Sequence, residues 1–582
     1  MHKQAKPFSF LAPDKVKRRD AHFLPVRLLI SGCGAVLCAT TLAAQDTTLA
    51  FRPSHYDIHI DLPDSGASIE GDVAIQITRE SRADTIALDL IGLRVKRVDV
   101  DRRQVKFVRT DSAILIPLPS ASSRKFEVRV VYDGAPTDGL IVGKDSVGRW
   151  TYFGDNWPNR ARYWIPSIDR PDAKATVSWT VTAPVGKTIV ANGVRLEERV
   201  LPMAEHRRLL SRWNESKPLP PYLMVIAAAP LVKRDLGETA CGHAELARCV
   251  PQSVYAEPEQ QRVVPGAFSQ AGDIVEFFAK TVAPFPYEKL AHLQSRTRYG
   301  GMENATAIFY ADAFFHRNGV PEGIIAHETA HQWFGDAVTE KEWSHVWLSE
   351  GFATYFAALY TQHAHGDSAF RAEMARIREQ VLADTESVTR RPVIDTMQTN
   401  LLALLDVNSY QKGGWVLHML RSQLGDTVFF RGLRDYYERH KHGNALTDDL
   451  RASLERASGK DLRGFFDQWL RRPGYPEVDA KFDTDSTGTY VDVRQSGRFG
   501  FFDFPLPIVV HAGSGTRSLT IPVGATALTR FKIAEPGANV SLVSVDPNVT
   551  VLMRGGGVEL LRSRAAISSR GLLHEPGRAT EP

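Results

Sequence analysis

The reading of this chain turns on "HETAH", residues 327–331. On a helix, positions i and i+4 lie on one face, so His327 and His331 point at one spot. Glu328 lies between them in sequence but is displaced around the helix, where it reaches a water beside a metal rather than the metal itself. Neutral imidazole nitrogens suit zinc, and an open fourth position suits catalysis. The motif alone is moderately specific, because an amphipathic helix can carry it by chance. A third ligand is needed, and "WLSEGFATYF" at 347–356 offers Glu350. Trp347, Leu348, Phe352 and Tyr355 surround it, and an unpaired carboxylate among them would be costly. His345 is a rival ligand; the other reading makes it a polar residue at the start of that helix.

Upstream, "RYGGMENATAIF" at 298–309 places one carboxylate, Glu303, on a glycine-loosened extended segment. A turn before a strand is the bland reading. The sharper one is that Glu303 reads a charge on a substrate.

The chain has 582 residues, 43% hydrophobic and 24% charged, enough apolar material for several cores. Length suggests roughly three or four domains. A net charge of +4 is too mild to argue for nucleic acid, and no basic run interleaves with aromatics. Lys15, Lys17, Arg18, Arg19 and Arg27 precede the apolar, small-residue stretch "LLISGCGAVLCATTLAAQ". Residues 1–44 therefore read as a secretory signal, with an uncleaved membrane anchor as the alternative. The expected location is exported, periplasmic or extracellular. Beyond that segment only Cys241 and Cys249 remain. In an exported protein a pair this close reads as a disulfide closing a small loop, with free thiols as the alternative.

Residues 45–235 show period-two alternation. Tyr56, Ile58 and Ile60, then Val73, Ile75 and Ile77, then Phe126, Val128 and Val130 each mark one face of a strand. This predicts an N-terminal antiparallel β domain. Residues 236–472 carry helical spacing, continuing through 425–471. "RPGYPEV" at 472–478 breaks it, because proline cannot donate. The expected α+β multidomain arrangement closes with a small β-sandwich over 473–556 and a disordered tail over 557–582.

Taken together, "HETAHQWFGD", "WLSEGFA", "YGGMENA" and "YQKGGWVLHML" occur in an order that resembles the gluzincin zinc aminopeptidases related to aminopeptidase N and the leukotriene hydrolases. "RPSHYDIHIDL" near the start and "FFDQWLRRPGYP" extend the resemblance over about 50–550. It implies a thermolysin-like catalytic domain holding one zinc ion on His327, His331 and Glu350. Glu328 is then the general base, and Tyr410 the donor to the oxyanion. Glu303 binds the substrate's free α-ammonium, Gly300 and Gly301 let backbone approach a peptide, and Met302 lines the first side-chain pocket. Asp336 is read as either orienting a zinc histidine or a solvated helix-end residue. The implied activity is removal of N-terminal residues from peptides with a free N-terminus. An endopeptidase or small-substrate hydrolase on the same scaffold is the close alternative, and a non-catalytic binding protein a more distant one.

Two departures stand out. Many relatives place a second amine-binding Glu or Gln five residues before an Arg. Counting back from Arg162 reaches Trp157, and an indole is no acceptor. Asp155 or Asn156 replaces it only if the loop shifts. The long C-terminal helical domain of larger relatives also has no counterpart in the β-patterned residues that follow "RPGYP".

Overall fold

The computed structural model describes residues 49–118, 123–202, 207–242, 249–513, 515–555 and 560–561. The expected leader at 1–44 lies outside them, as does the expected tail at 557–582 apart from Leu560–Leu561. Among the described residues no helix is long and apolar enough to cross a membrane.

The N-terminal alternation becomes an eight-stranded sheet. Tyr56, Ile58 and Ile60 of strand Phe51–Asp61 are buried, as are Val73, Ile75 and Ile77 of Ile69–Arg79 and Phe126, Val128 and Val130 of Lys125–Gly134. Pairing in this sheet is antiparallel except at one place, where Phe51–Asp61 runs parallel to Ala175–Pro184. The purely antiparallel expectation misses that pair. Between its two strands the chain builds most of one flank, then returns to the other flank of its first strand. A crossover of that length permits parallel pairing, whereas a tight hairpin cannot.

The part expected to be catalytic is built on a mixed five-stranded sheet. Its strands are β1 (Val232–Thr239), β2 (Val250–Ala256), β3 (Leu290–Ser295), β4 (Gly301–Met302) and β5 (Ala307–Ala311), in the order β1-β2-β3-β5-β4. Strands β2, β3 and β5 are parallel, and β4 is an antiparallel edge. The expected boundary at 235/236 falls inside β1. A disulfide joins Cys241 to Cys249 between β1 and β2, with Cα atoms 5.5 Å apart.

Helices α1 (Ala271–Thr281), α2 (Asp312–Phe315), α3 (Glu322–His331), α4 (Trp347–Ala383) and α5 (Gly413–Leu424) complete the part that carries the site. α4 breaks at Gly366, whose φ is 84°. α5 is entered through a π-helical turn, Asn408–Lys412. Residues 425–471, read as continuously helical, form three helices interrupted by the strand Gly443–Ala445. That strand pairs in parallel with Val338–Glu340, a tertiary contact that overrides local helical spacing.

The last described segment forms a three-stranded and a four-stranded sheet. Val491 and Val493 of one and Leu506, Ile508 and Val543 of the other are buried in a shared apolar core. This unit braces α5, where His418 Nε2 lies 2.9 Å from the Val549 carbonyl.

Candidate metal centre and its cavity

Pro321 caps α3, and the helix carries His327 and His331 one turn apart on a buried face. Their Nε2 atoms lie 3.1 Å from each other. Glu350, from the first turn of α4, brings Oε2 to 3.3 Å from His327 Nε2 and 3.4 Å from His331 Nε2. All three side chains are buried, and their ligand atoms lie within 4.8 Å of one another. Two imidazole nitrogens and a carboxylate oxygen converging beside an open cavity are the donor set of a catalytic zinc site. The residues present therefore fit zinc.

The second ring nitrogen of His331 is held from behind. Its Nδ1 lies 3.2 Å from the Phe334 carbonyl and 3.0 Å from Ser349 Oγ. With the proton on Nδ1, donated to that carbonyl, Nε2 is left bare for a metal. Asp336 is not the solvated helix-end residue that one reading expects: it is fully buried, and its Oδ2 accepts from Gln332 Nε2 at 2.8 Å. His345 is no ligand either, because its Nδ1 is 2.8 Å from Thr447 Oγ1.

Charge at the site is one-sided. Burial pushes Glu328 well above the ordinary carboxylate range. Burial raises Glu303 to about 7, with Glu350 adding to the rise. Burial would lower His331, but Glu303 and Glu350 carry it up to about 10. Burial would raise Glu350, yet hydrogen bonds from His327 and His331 hold it down to about 2. Three carboxylates facing two imidazoles form a field that favours a cation.

Two close backbone approaches set the geometry. A Cβ on Gly301 would sit 1.9 Å from Glu328 Oε1, so the Glu328 carboxylate lies directly against edge strand β4. A Cβ on Gly351 would sit 2.9 Å from the Gly413 backbone, so α4 and α5 touch main chain to main chain. That contact, beside Glu350, brings the π turn and Tyr410 over the ligands. The Tyr410 ring lies 5.9 Å from the His327 ring at an interplanar angle of 10°. Burial, and Glu350 beside it, keep the Tyr410 hydroxyl protonated.

One cavity of about 380 Å³ is lined by His327, Glu328, His331, Glu350 and Tyr410 together with Gly300, Gly301, Met302 and Glu303. The structure thus brings every sequence-predicted site residue to one place. Sequence reasoning missed the apolar wall of Phe314, Ile324 and Leu405. It also missed the anchoring of segment 298–303. Arg298 pairs with Asp138 at 2.7 Å and Asp155 at 3.2 Å, and Arg160 pairs with the same two acids at 2.8 and 3.1 Å.

Trp157 lines the cavity, packed edge-on against Tyr299 and Trp343 with centroids 6.2 and 5.4 Å apart. Neither neighbour replaces the absent acid. Asp155 is fully buried and ion-paired to Arg160 and Arg298. Asn156 is fully buried, donating to the Pro221 and Met224 carbonyls and accepting from Trp164 Nε1. Glu303 lines the same cavity, and its carboxylate lies within 4.8 Å of ligand-type atoms of Glu328 and His331.

Comparison with known proteins agrees with this geometry. Residues 52–223 match the Peptidase M1 N-terminal domain, and residues 267–469 match the Peptidase family M1 domain. A leucyl aminopeptidase of Saccharolobus solfataricus is 26% identical over 453 residues, covering 73% of this chain and 54% of that protein. Human glutamyl aminopeptidase is 27% identical over 475 residues, covering 73% of this chain and 47% of that protein. The chain spans about half the length of the curated relatives it matches. Among solved structures, Legionella pneumophila aminopeptidase A in complex with aspartic acid superposes with a TM-score of 0.74 at 18% identity, covering 87% of this chain and 60% of that one. An M1 zinc metallopeptidase from Deinococcus radiodurans gives 0.63 at 23% identity, covering 72% and 94%. At these identities the likeness concerns the fold. The two consecutive domain matches cover more than half of the chain, and the site residues fall in the second of them: the chain belongs to peptidase family M1.

Proposed function

We propose that this protein is a zinc-dependent aminopeptidase that removes N-terminal residues from peptides. The observation that carries the reading is Glu303, a buried carboxylate on the segment leaving edge strand β4, in the same cavity as the His327, His331 and Glu350 cluster. One zinc ion held by that cluster supplies Lewis acidity, acidifying water and polarising a carbonyl near neutral pH.

The chain's own residues do the rest. Gly300 and Gly301 leave the edge of β4 open to a peptide backbone, which adds as a further strand. Glu303 accepts from the substrate's α-ammonium, and that positive charge restores its ionised form. Met302 is buried beside it and lines the space for the first side chain. Glu328 takes a proton from the attacking water and returns it to the leaving amine. Tyr410, held protonated, donates to the oxyanion.

The test is hydrolysis of a panel of aminoacyl arylamides with and without a chelator. Zinc-restorable cleavage supports the reading. Cleavage untouched by complete metal removal overturns it.

We also propose that the protein acts outside the cytoplasm on peptide substrates, either released or anchored through its N-terminal segment. The basic-then-apolar leader at 1–44 and the cysteine pair support this. N-terminal sequencing of the exported chain distinguishes the two forms: a start near residue 45 means release, and an intact leader means anchoring.

A further inference from the structure

A second group of ligand-type side chains stands apart from the catalytic cluster, at the carboxyl ends of the parallel strands. Glu257 directly follows β2, Asp312 directly follows β5, and His316 lies just beyond α2. One ligand atom from each lies within 4.8 Å of the other two. His316 Nε2 is 3.2 Å from Asp312 Oδ2. Such a pair four residues apart is by itself an ordinary surface contact.

Glu257 changes that reading. It is 5% exposed, and its Oε2 has no hydrogen-bond partner. A buried, unpartnered carboxylate beside a second carboxylate is costly unless a cation lies between them. The nearby Arg149 is taken by Asp145 and Glu259. Asp145 and Arg296 are the other charges close to Glu257.

The surrounding amides hold the three groups in place. Gln294, at the end of β3, donates to Asp312 Oδ1 at 2.5 Å and accepts the Glu257 N–H at 2.9 Å. Gln260 is buried with its Oε1 unpartnered, and its Nε2 lies 3.1 Å from His316 Nδ1. With the Gln260 amide turned over, Oε1 accepts the Nδ1 proton and leaves His316 Nε2 bare, the tautomer that a metal requires.

We infer that Glu257, Asp312 and His316 form a second divalent-cation site, separate from the catalytic cluster. An imidazole with two carboxylates selects a transition-series ion such as zinc over calcium or magnesium. The ion ties the exit of β2 to α2. Phe314 within α2, and Arg317 and Pro321 beyond it, line the catalytic cavity. The site is thus a staple on one cavity wall.

The test is metal content per chain after zinc saturation and buffer exchange. The wild type should hold two equivalents, and the double variant Glu257→Gln/His316→Gln one. Equal content in the two proteins overturns the inference. Where the double variant loses its near-UV circular dichroism, the single variant His316→Gln decides by the same count, since that side chain is 37% exposed. Anomalous scattering at the zinc edge from saturated crystals should show a second peak between Glu257, Asp312 and His316. A peak at the catalytic cluster alone contradicts the site.

Discussion

Two parts of one cavity lining, the cluster of His327, His331 and Glu350 and the segment that carries Glu303, are held by different means, although ligand-type atoms of Glu303, Glu328 and His331 lie within 4.8 Å of one another. The candidate metal cluster comes from one domain and two helices, the second of which packs tightly on a third. α3 supplies two imidazoles, α4 supplies Glu350, and the Gly351–Gly413 contact locks α4 against α5. The Glu303 segment rests on a two-residue edge strand and on the ion-pair ladder that ties Arg298, together with Arg160 of the N-terminal domain, to Asp138 and Asp155. The candidate metal cluster is therefore held by contacts within a single domain. The segment carrying Glu303 depends on contacts between the two domains.

The largest expected effect falls beside the metal cluster. Glu328→Gln should lower kcat by about 10³-fold while zinc content stays at the wild-type level, as loss of a positioned base implies. Unchanged turnover in a zinc-loaded variant would break the comparison at its stronger side. Next comes Gly301→Ala, which puts a methyl 1.9 Å from Glu328 Oε1. Displacing the base by about an ångström should cost about 10²-fold in kcat, again with zinc retained. Metal content and kcat measured on one preparation separate this from a loss of fold.

Gly351→Ala should act on stability first. A Cβ 2.9 Å from the Gly413 backbone forces α4 and α5 apart, at a cost of about 1–3 kcal/mol. Denaturant unfolding should show the midpoint falling with the slope unchanged, and an unshifted midpoint would refute the contact. The smallest effect belongs to Arg298→Met. It removes one rung of the ladder but leaves Arg160 paired with Asp138 and Asp155. KM should rise by about 10-fold with kcat nearly constant, the signature of weakened uniform binding. A fall in kcat at constant KM would mean that the ladder serves the chemistry instead.

The same contrast explains what the sequence could and could not reveal. His327 and His331 are one helical turn apart, and Glu350 lies in the next helix among aromatic residues, so periodicity finds them. Glu303 stands out as a lone acid between glycines and a strand. Tyr410 sits in a π-helical turn, where no simple spacing rule places its side chain, and only its resemblance to a family motif singles it out. The Arg298 ladder joins residues more than a hundred positions apart, and no local pattern announces it. The parallel pair in the N-terminal sheet and the strand Gly443–Ala445 were invisible for the same reason, since each is fixed by a distant partner.

The central claim is that Glu303 makes this zinc site read a free N-terminus, unaided by a second acid at Trp157. The most direct test compares kcat/KM for an aminoacyl arylamide with that for its N-acetyl derivative, in the wild type and in Glu303→Ala. The wild type should favour the free amine by at least about 10²-fold, the value expected of a charge-assisted contact that the acetyl group removes. That preference should collapse in Glu303→Ala. Equal cleavage of free and acetylated substrates by the wild type, or an undiminished preference in the variant, would contradict the account.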